Sequence, residues 1–101
     1  MKNWRIVLNE VKRHTQENPI LSKHIEQKWF ISGTQVREII HYLRVHKNEP
    51  ICSDSKGYFY ARNKQECQHT IAQLRSRMIK ISQVAKAMED MFMEDNQEVI
   101  F

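Results

Sequence analysis

The chain has 101 residues, 41 % hydrophobic and 28 % charged, with sixteen Lys/Arg and twelve Asp/Glu for a formal charge of +4. That length fits one domain with an appended element, and the mean hydropathy of −0.67, without any run near the roughly 18 apolar residues of a bilayer span, argues against a membrane protein. Two cysteines, Cys52 and Cys67, suit a reducing cytoplasm better than a disulfide scaffold.

Charge is unevenly spread. Residues 1–63 carry eleven Lys/Arg and six Asp/Glu, residues 64–83 four and one, and residues 84–101 one and five. A basic body with an acidic end favours a polyanionic partner, though only mildly. The start, Met1-Lys2-Asn3-Trp4-Arg5, leads into a charged amphipathic segment and does not read as a signal peptide.

In chain order, Trp4, Val7, Leu8 and Val11 have the spacing of an amphipathic helix over residues 3–15. Asn18-Pro19 breaks it. Ser22 is an N-cap candidate for a short helix at 23–29, with Ile25 and Trp29 inward and Glu26 and Lys28 toward solvent. Phe30-Ile31 leaves room only for a tight turn. Ser32 then caps a helix reaching Lys47, whose Val36, Ile39, Ile40 and Leu43 form one apolar face. The opposite face carries Thr34, Gln35, Arg37, Glu38, His41 and Arg44. Two helices joined this closely cross steeply, as in a helix-turn-helix.

Beyond Asn48-Glu49-Pro50, Pro50–Ser53 and Tyr58–Ala61 flank the polar tip Asp54-Ser55-Lys56-Gly57, a β-hairpin signal. So short a hairpin must lean on the helices to be stable. The period leaves open which of its faces points inward, Tyr58 and Tyr60 or Phe59 and Ala61. Asn63-Lys64-Gln65-Glu66 reads as a capping box opening a helix over 64–93. Cys67, Ile71, Leu74, Met78, Ile81, Ala85, Met88 and Phe92 follow alternating four- and three-residue steps without a slip, a heptad seam. Residues 94–101 are expected to form an acidic, flexible tail.

The order helix, helix, turn, helix, hairpin resembles the winged-helix domains of bacterial and phage regulators, most closely the biotin-repressor-like class. Phe30-Ile31-Ser32-Gly33-Thr34-Gln35-Val36-Arg37 matches that class's hydrophobic-Ser-x-x-x-Val-Arg entry to the recognition helix, and Pro50-Ile51-Cys52-Ser53 through Lys56-Gly57-Tyr58 matches its wing. The likeness covers residues 3–62. It implies a mainly α (α+β) winged helix-turn-helix domain at 1–62, three helices plus a two-stranded wing, followed by a coiled-coil helix at 63–93. It further implies a double-stranded DNA-binding regulator of transcription or replication, of phage or prophage type, with no catalytic part.

Within that expectation Arg37, Gln35 and Thr34 approach base edges, since Arg bonds guanine and Gln bonds adenine bidentately. Ser32, Arg44 and Lys23 contact phosphates, which fix position without reading sequence. His41 lies on the same polar face, Ser55 and Lys56 occupy the wing tip, and Arg62 sits near the wing's base. Glu38 and Asp54 dissent, because carboxylates repel phosphate. They fit better a second reading, in which the scaffold serves as an adaptor or inhibitor of a host protein.

The heptad helix can pack back on the amino-terminal helix or pair with a second copy. Its length, roughly 40 Å to Phe92 at 1.5 Å per residue, favours a homodimer through Ile71, Leu74, Met78, Ile81, Ala85, Met88 and Phe92. Arg75, Arg77 and Lys80 early and Glu89, Asp90 and Glu94 late set opposite charges together in an antiparallel pair. Cys52, Cys67 and His69 lack the paired spacing of a zinc site, and no nucleophile has a recognisable base or oxyanion motif. The sequence thus points to a non-enzyme with no cofactor or metal.

Overall fold

The computed structural model describes residues 1–100, with side chains through Met93. The chain is mainly helical, in the order α1 (Trp4–Lys12), α2 (Ser22–Trp29), α3 (Gly33–His46), β1 (Ile51–Asp54), β2 (Gly57–Tyr60) and α4 (Lys64–Ile100). It divides into two compact units, Met1–Thr70 and Ile71–Phe101. Among the described residues no helix is long and apolar enough to cross a membrane.

The core of the first unit is built from Val7, Leu8 and Val11 of α1, Ile25 of α2, and Val36, Ile39, Ile40 and Leu43 of α3, closed by Ile20, Ile31 and Ile51. These are the helical-period positions, and burying branched side chains at about 25 cal/mol per Å² is the main force assembling the three helices. Helix α1 is shorter than its pattern. It stops at Lys12, and beyond it the His14 carbonyl accepts from the Tyr60 amide at 3.1 Å rather than continuing a helical ladder. One charged residue joins this core: Glu10 is 3 % exposed, within 2.7 Å of Lys28 Nζ, 3.1 Å of Trp29 Nε1 and 3.3 Å of His14 Nε2. It ties α1 to α2 through Lys28, which is solvent-exposed as expected while its Nζ reaches in to the buried carboxylate.

The caps differ in detail from the sequence pattern. Ser22 is the first helical residue of α2, not its cap, and its hydroxyl donates to Glu26 Oε2 at 3.0 Å. Ser32 does cap α3, in a reciprocal box: the Gln35 amide donates to Ser32 Oγ at 3.1 Å and Gln35 Oε1 accepts from the Ser32 amide at 3.0 Å. At α4 half of the expected box forms, Asn63 Oδ1 accepting from the Glu66 amide at 3.0 Å. The Glu66 carboxylate reaches one residue further back, to the Arg62 amide at 2.9 Å.

Strands β1 and β2 are antiparallel, with Cys52 opposite Phe59 and Asp54 opposite Gly57. Both faces of the hairpin are covered. Ile51, Tyr58 and Tyr60 pack on the helical core, while Cys52, Phe59 and Ala61 form a second cluster with Cys67 of α4. The question of the inward face therefore has two answers.

The flanks of the hairpin are paired as well. Ile20, between α1 and α2, exchanges both backbone bonds with Tyr58, at 2.8 and 2.7 Å. This close approach explains Gly57, whose φ is +128° and where a Cβ would lie 2.2 Å from the Ile20 carbonyl oxygen. On the β1 side, Thr70 Oγ1 accepts from the Ser53 amide at 3.0 Å and donates to the Ser53 carbonyl at 3.1 Å.

In the second unit, α4 runs helical to Ile100, beyond the end expected near residue 93. The side chains of 94–101, the expected acidic tail, lie outside the described residues. Seam residues Ile71, Leu74, Met78, Ile81, Met88 and Phe92 are solvent-exposed in the single chain, from 42 % at Leu74 to 69 % at Ile81, and Ala85 between them is exposed as well.

Candidate nucleic-acid interface

The exposed side of α3 presents Thr34, Gln35, Arg37, Glu38 and His41. Their alignment follows from the buried stripe on the opposite side, which fixes the helix's rotation about its axis. Arg37 Nη2 donates to Thr34 Oγ1 at 3.2 Å, so these two act as one polar unit. Among the described residues Arg37 has no carboxylate partner. Lys23 is exposed on α2, and Ser55 and Lys56 are exposed at the hairpin tip. The tip is braced by Asp54, whose Oδ1 accepts from the Lys56 amide at 2.7 Å. Asp54 is therefore a turn-former in this position, where the sequence showed only a misplaced negative charge.

Other members of the expected set are engaged elsewhere. Gln35 uses its amide oxygen in the α3 cap, accepting from the Ser32 amide and lying 3.3 Å from the Ser32 hydroxyl. Arg44 is half-buried, donating from Nε to the Ile51 carbonyl at 2.8 Å and from Nη2 to Ser53 Oγ at 3.3 Å, and so locks β1 to α3. Arg62 joins Glu17 at 2.7 Å and Glu66 at 2.8 Å. Hydrogen bonds to both carboxylates raise the Arg62 pKa. The same contacts lower those of its partners, Glu66 chiefly through the Arg62 side chain and Glu17 through a backbone bond and then Arg62. These arginines are framework residues: Arg44 orients the hairpin, and Arg62 holds the entry to α4.

Two surface features were not legible in the sequence. Phe30, in the α2–α3 turn, is 95 % exposed with a left-handed φ of 54°. An open groove of about 380 Å³ runs beside α3, lined by Met1, Arg37, Glu38, His41, Tyr42 and His46. Helical spacing places Glu38, Tyr42 and His46 together, but Met1 reaches the groove only through the tertiary fold.

Cys52 and Cys67 are free thiols with their sulfurs 3.0 Å apart. Burial, followed by the neighbouring Cys67, pushes the Cys52 thiol up to about 12, so it is no thiolate nucleophile. Among the described residues no group of three or more His, Cys, Asp or Glu is gathered to hold a metal. Compared with models of known families, with curated proteins and with solved structures, the chain matches none.

Proposed function

We propose that residues 1–62 are a winged helix-turn-helix domain binding double-stranded DNA, in a homodimer that regulates transcription or replication and is of phage or prophage type. The observation that carries this reading is the exposed pair Thr34–Arg37 on α3, backed by a rigid apolar face, with Lys56 exposed at a braced hairpin tip. A helix with one buried stripe and a polar, cationic front suits a major groove, and a cationic hairpin tip suits adjacent phosphates. Gln35 contributes through its amide nitrogen, because its oxygen serves the cap. Lys23, Ser32 and His41 flank this front. Arg44 and Arg62 act indirectly, by placing the hairpin and α4. The exposed heptad seam supports dimerisation, and we propose no enzymatic step.

The second reading, a protein-binding adaptor or inhibitor, is favoured by the groove beside Glu38, where Met1 and Tyr42 offer apolar contact near a carboxylate. One experiment separates the two. Binding to random-sequence duplex DNA is measured over a series of salt concentrations, with the mass in solution recorded alongside. The DNA reading expects affinity that falls steeply with salt. Lys56→Ala weakens binding and flattens the log–log slope by about 1, Arg37→Ala weakens binding through lost base contacts, and Arg62→Ala leaves the slope unchanged. Absence of binding even at low salt refutes the DNA reading and directs the search to protein partners.

A further inference from the structure

We infer that α4 pairs with α4 of a second copy in an antiparallel register that sets Phe92 against Leu74, Met88 against Met78 and Ala85 against Ile81 of the partner, each contact repeated by the two-fold axis. The inference rests on the homodimer proposed above and assigns its geometry.

The seam's first residue is already committed. Cys67 faces Cys52 at 3.0 Å, and Thr70 is buried against Ser53, so the apolar stripe open to a partner begins at Ile71. From there to Phe92 every seam position is exposed, flanked by exposed Val84 and Met91. An apolar stripe of this length on a soluble helix marks an interaction surface.

Charge then selects among the ways two such stripes can meet. In a heptad with Ile71, Met78, Ala85 and Phe92 at a and Leu74, Ile81 and Met88 at d, the e positions include Arg75, Ser82 and Glu89, and the g positions include Arg77, Val84 and Met91. A parallel pair sets g against e of the next heptad: Thr70 with Arg75, Arg77 with Ser82 and Val84 with Glu89. None of these is an ion pair. An antiparallel pair sets e against e and g against g. With Met78 opposite Ile81 it would join Arg75 to Ser82 and Arg77 to Val84, again without an ion pair, and would aim Phe92 at the occupied Cys67. Sliding by one heptad to the register above joins Arg75 to Glu89 on both sides of the axis and sets Val84 against Val84. The small Ala85 then faces the branched Ile81, and Phe92 packs on Leu74. The charge order along α4, cationic first and acidic later, opposes the helix's own dipole. An isolated helix gains nothing from it, whereas an antiparallel partner does.

The test uses the full chain. Ser82→Cys places thiols beside the axis in this register, while Ala85→Cys places them face to face only in a parallel pair. Mild oxidation followed by peptide mass mapping, which separates these links from Cys52 and Cys67, is expected to yield the 82–82 cross-link and no 85–85 cross-link. In sedimentation, Arg75→Glu weakens the dimer about three- to tenfold, and adding Glu89→Arg restores it. Formation of 85–85 cross-links, or failure of the double reversal to restore the dimer, overturns the register while leaving the dimer standing. A monomeric mass at every concentration overturns both, whatever the chain does with DNA.

Discussion

Replacing Glu10 by Gln removes a buried charge and keeps the side chain's volume. In the native protein Oε1 accepts from Lys28 Nζ at 2.7 Å and Trp29 Nε1 at 3.1 Å, and Oε2 lies 3.3 Å from His14 Nε2. A Gln amide oxygen still serves Trp29 but offers Lys28 only a neutral acceptor. Hydrogen bonds to charged groups contribute about 1.5–3 kcal/mol and neutral ones about 0.5–1.5. Lys28 is half exposed and recovers hydration, so the net cost is about 1–2 kcal/mol. For a unit of this size that lowers Tm by about 5–15 °C.

The cost depends on pH. Burial alone would raise the Glu10 pKa, but hydrogen bonds from Lys28, Trp29 and His14 outweigh it and hold the group below its ordinary value of 4.5. A carboxyl whose pKa is depressed in the folded state adds stability above its unfolded pKa, and that stability is lost as pH falls through the folded one. Thermal melts followed by circular dichroism should show a wide gap between wild type and Glu10→Gln at neutral pH, closing as pH falls below 4.5. Equal Tm values at neutral pH, or a gap unchanged in acid, would refute the reasoning.

Gly57→Ala forces a Cβ to 2.2 Å from the Ile20 carbonyl at a φ of +128°. It should cost about 2–4 kcal/mol and speed amide exchange at Ile20 and Tyr58. Tyr60 donates to Glu49 Oε2 at 2.5 Å, and that bond, with burial, pushes its hydroxyl up to about 12. Because the folded pKa is raised, the stabilisation is complete below the unfolded value of 10.0 and is lost as pH climbs toward 12. An ultraviolet titration should show one late phenol, absent in Tyr60→Phe. Thr70→Val keeps the shape but strips both bonds to Ser53, at a cost of about 1–3 kcal/mol. Chemical denaturation measures that loss, and an unchanged midpoint would show that the hydroxyl contributes nothing.

The sequence made the helices and the hairpin legible because each is set by local rules: apolar period, Ser32 and Asn63 at cap positions, and a glycine-bearing tip. The pattern Ser32-Gly33-Thr34-Gln35 also held the α3 capping box, which would have shown that Gln35 is partly committed. The rest depended on contacts distant in the chain. Ile20 pairs with Tyr58 as a single bridge, too short to leave any period. Arg62 finds Glu17 across 45 positions, and Arg44 reaches β1 through the fold rather than along α3. A charged side chain in isolation reads the same whether it faces solvent, a phosphate or a buried carbonyl. That is why two arginines with framework roles stood among the binding candidates, and why the buried Glu10 went unnoticed in an otherwise apolar stripe.

A two-stranded sheet ordinarily offers two open margins, each a template onto which a stray strand can dock. In this chain one margin is sealed by Ile20 and the His14 carbonyl, and the other by the Arg44 guanidinium and the Thr70 hydroxyl. All four seals come from outside the two strands, and two are side chains. The hairpin can therefore stand at the surface with its tip free while its backbone is closed to strand addition. Variants that open either margin should first show themselves as self-association through β-structure, before the helical core has melted.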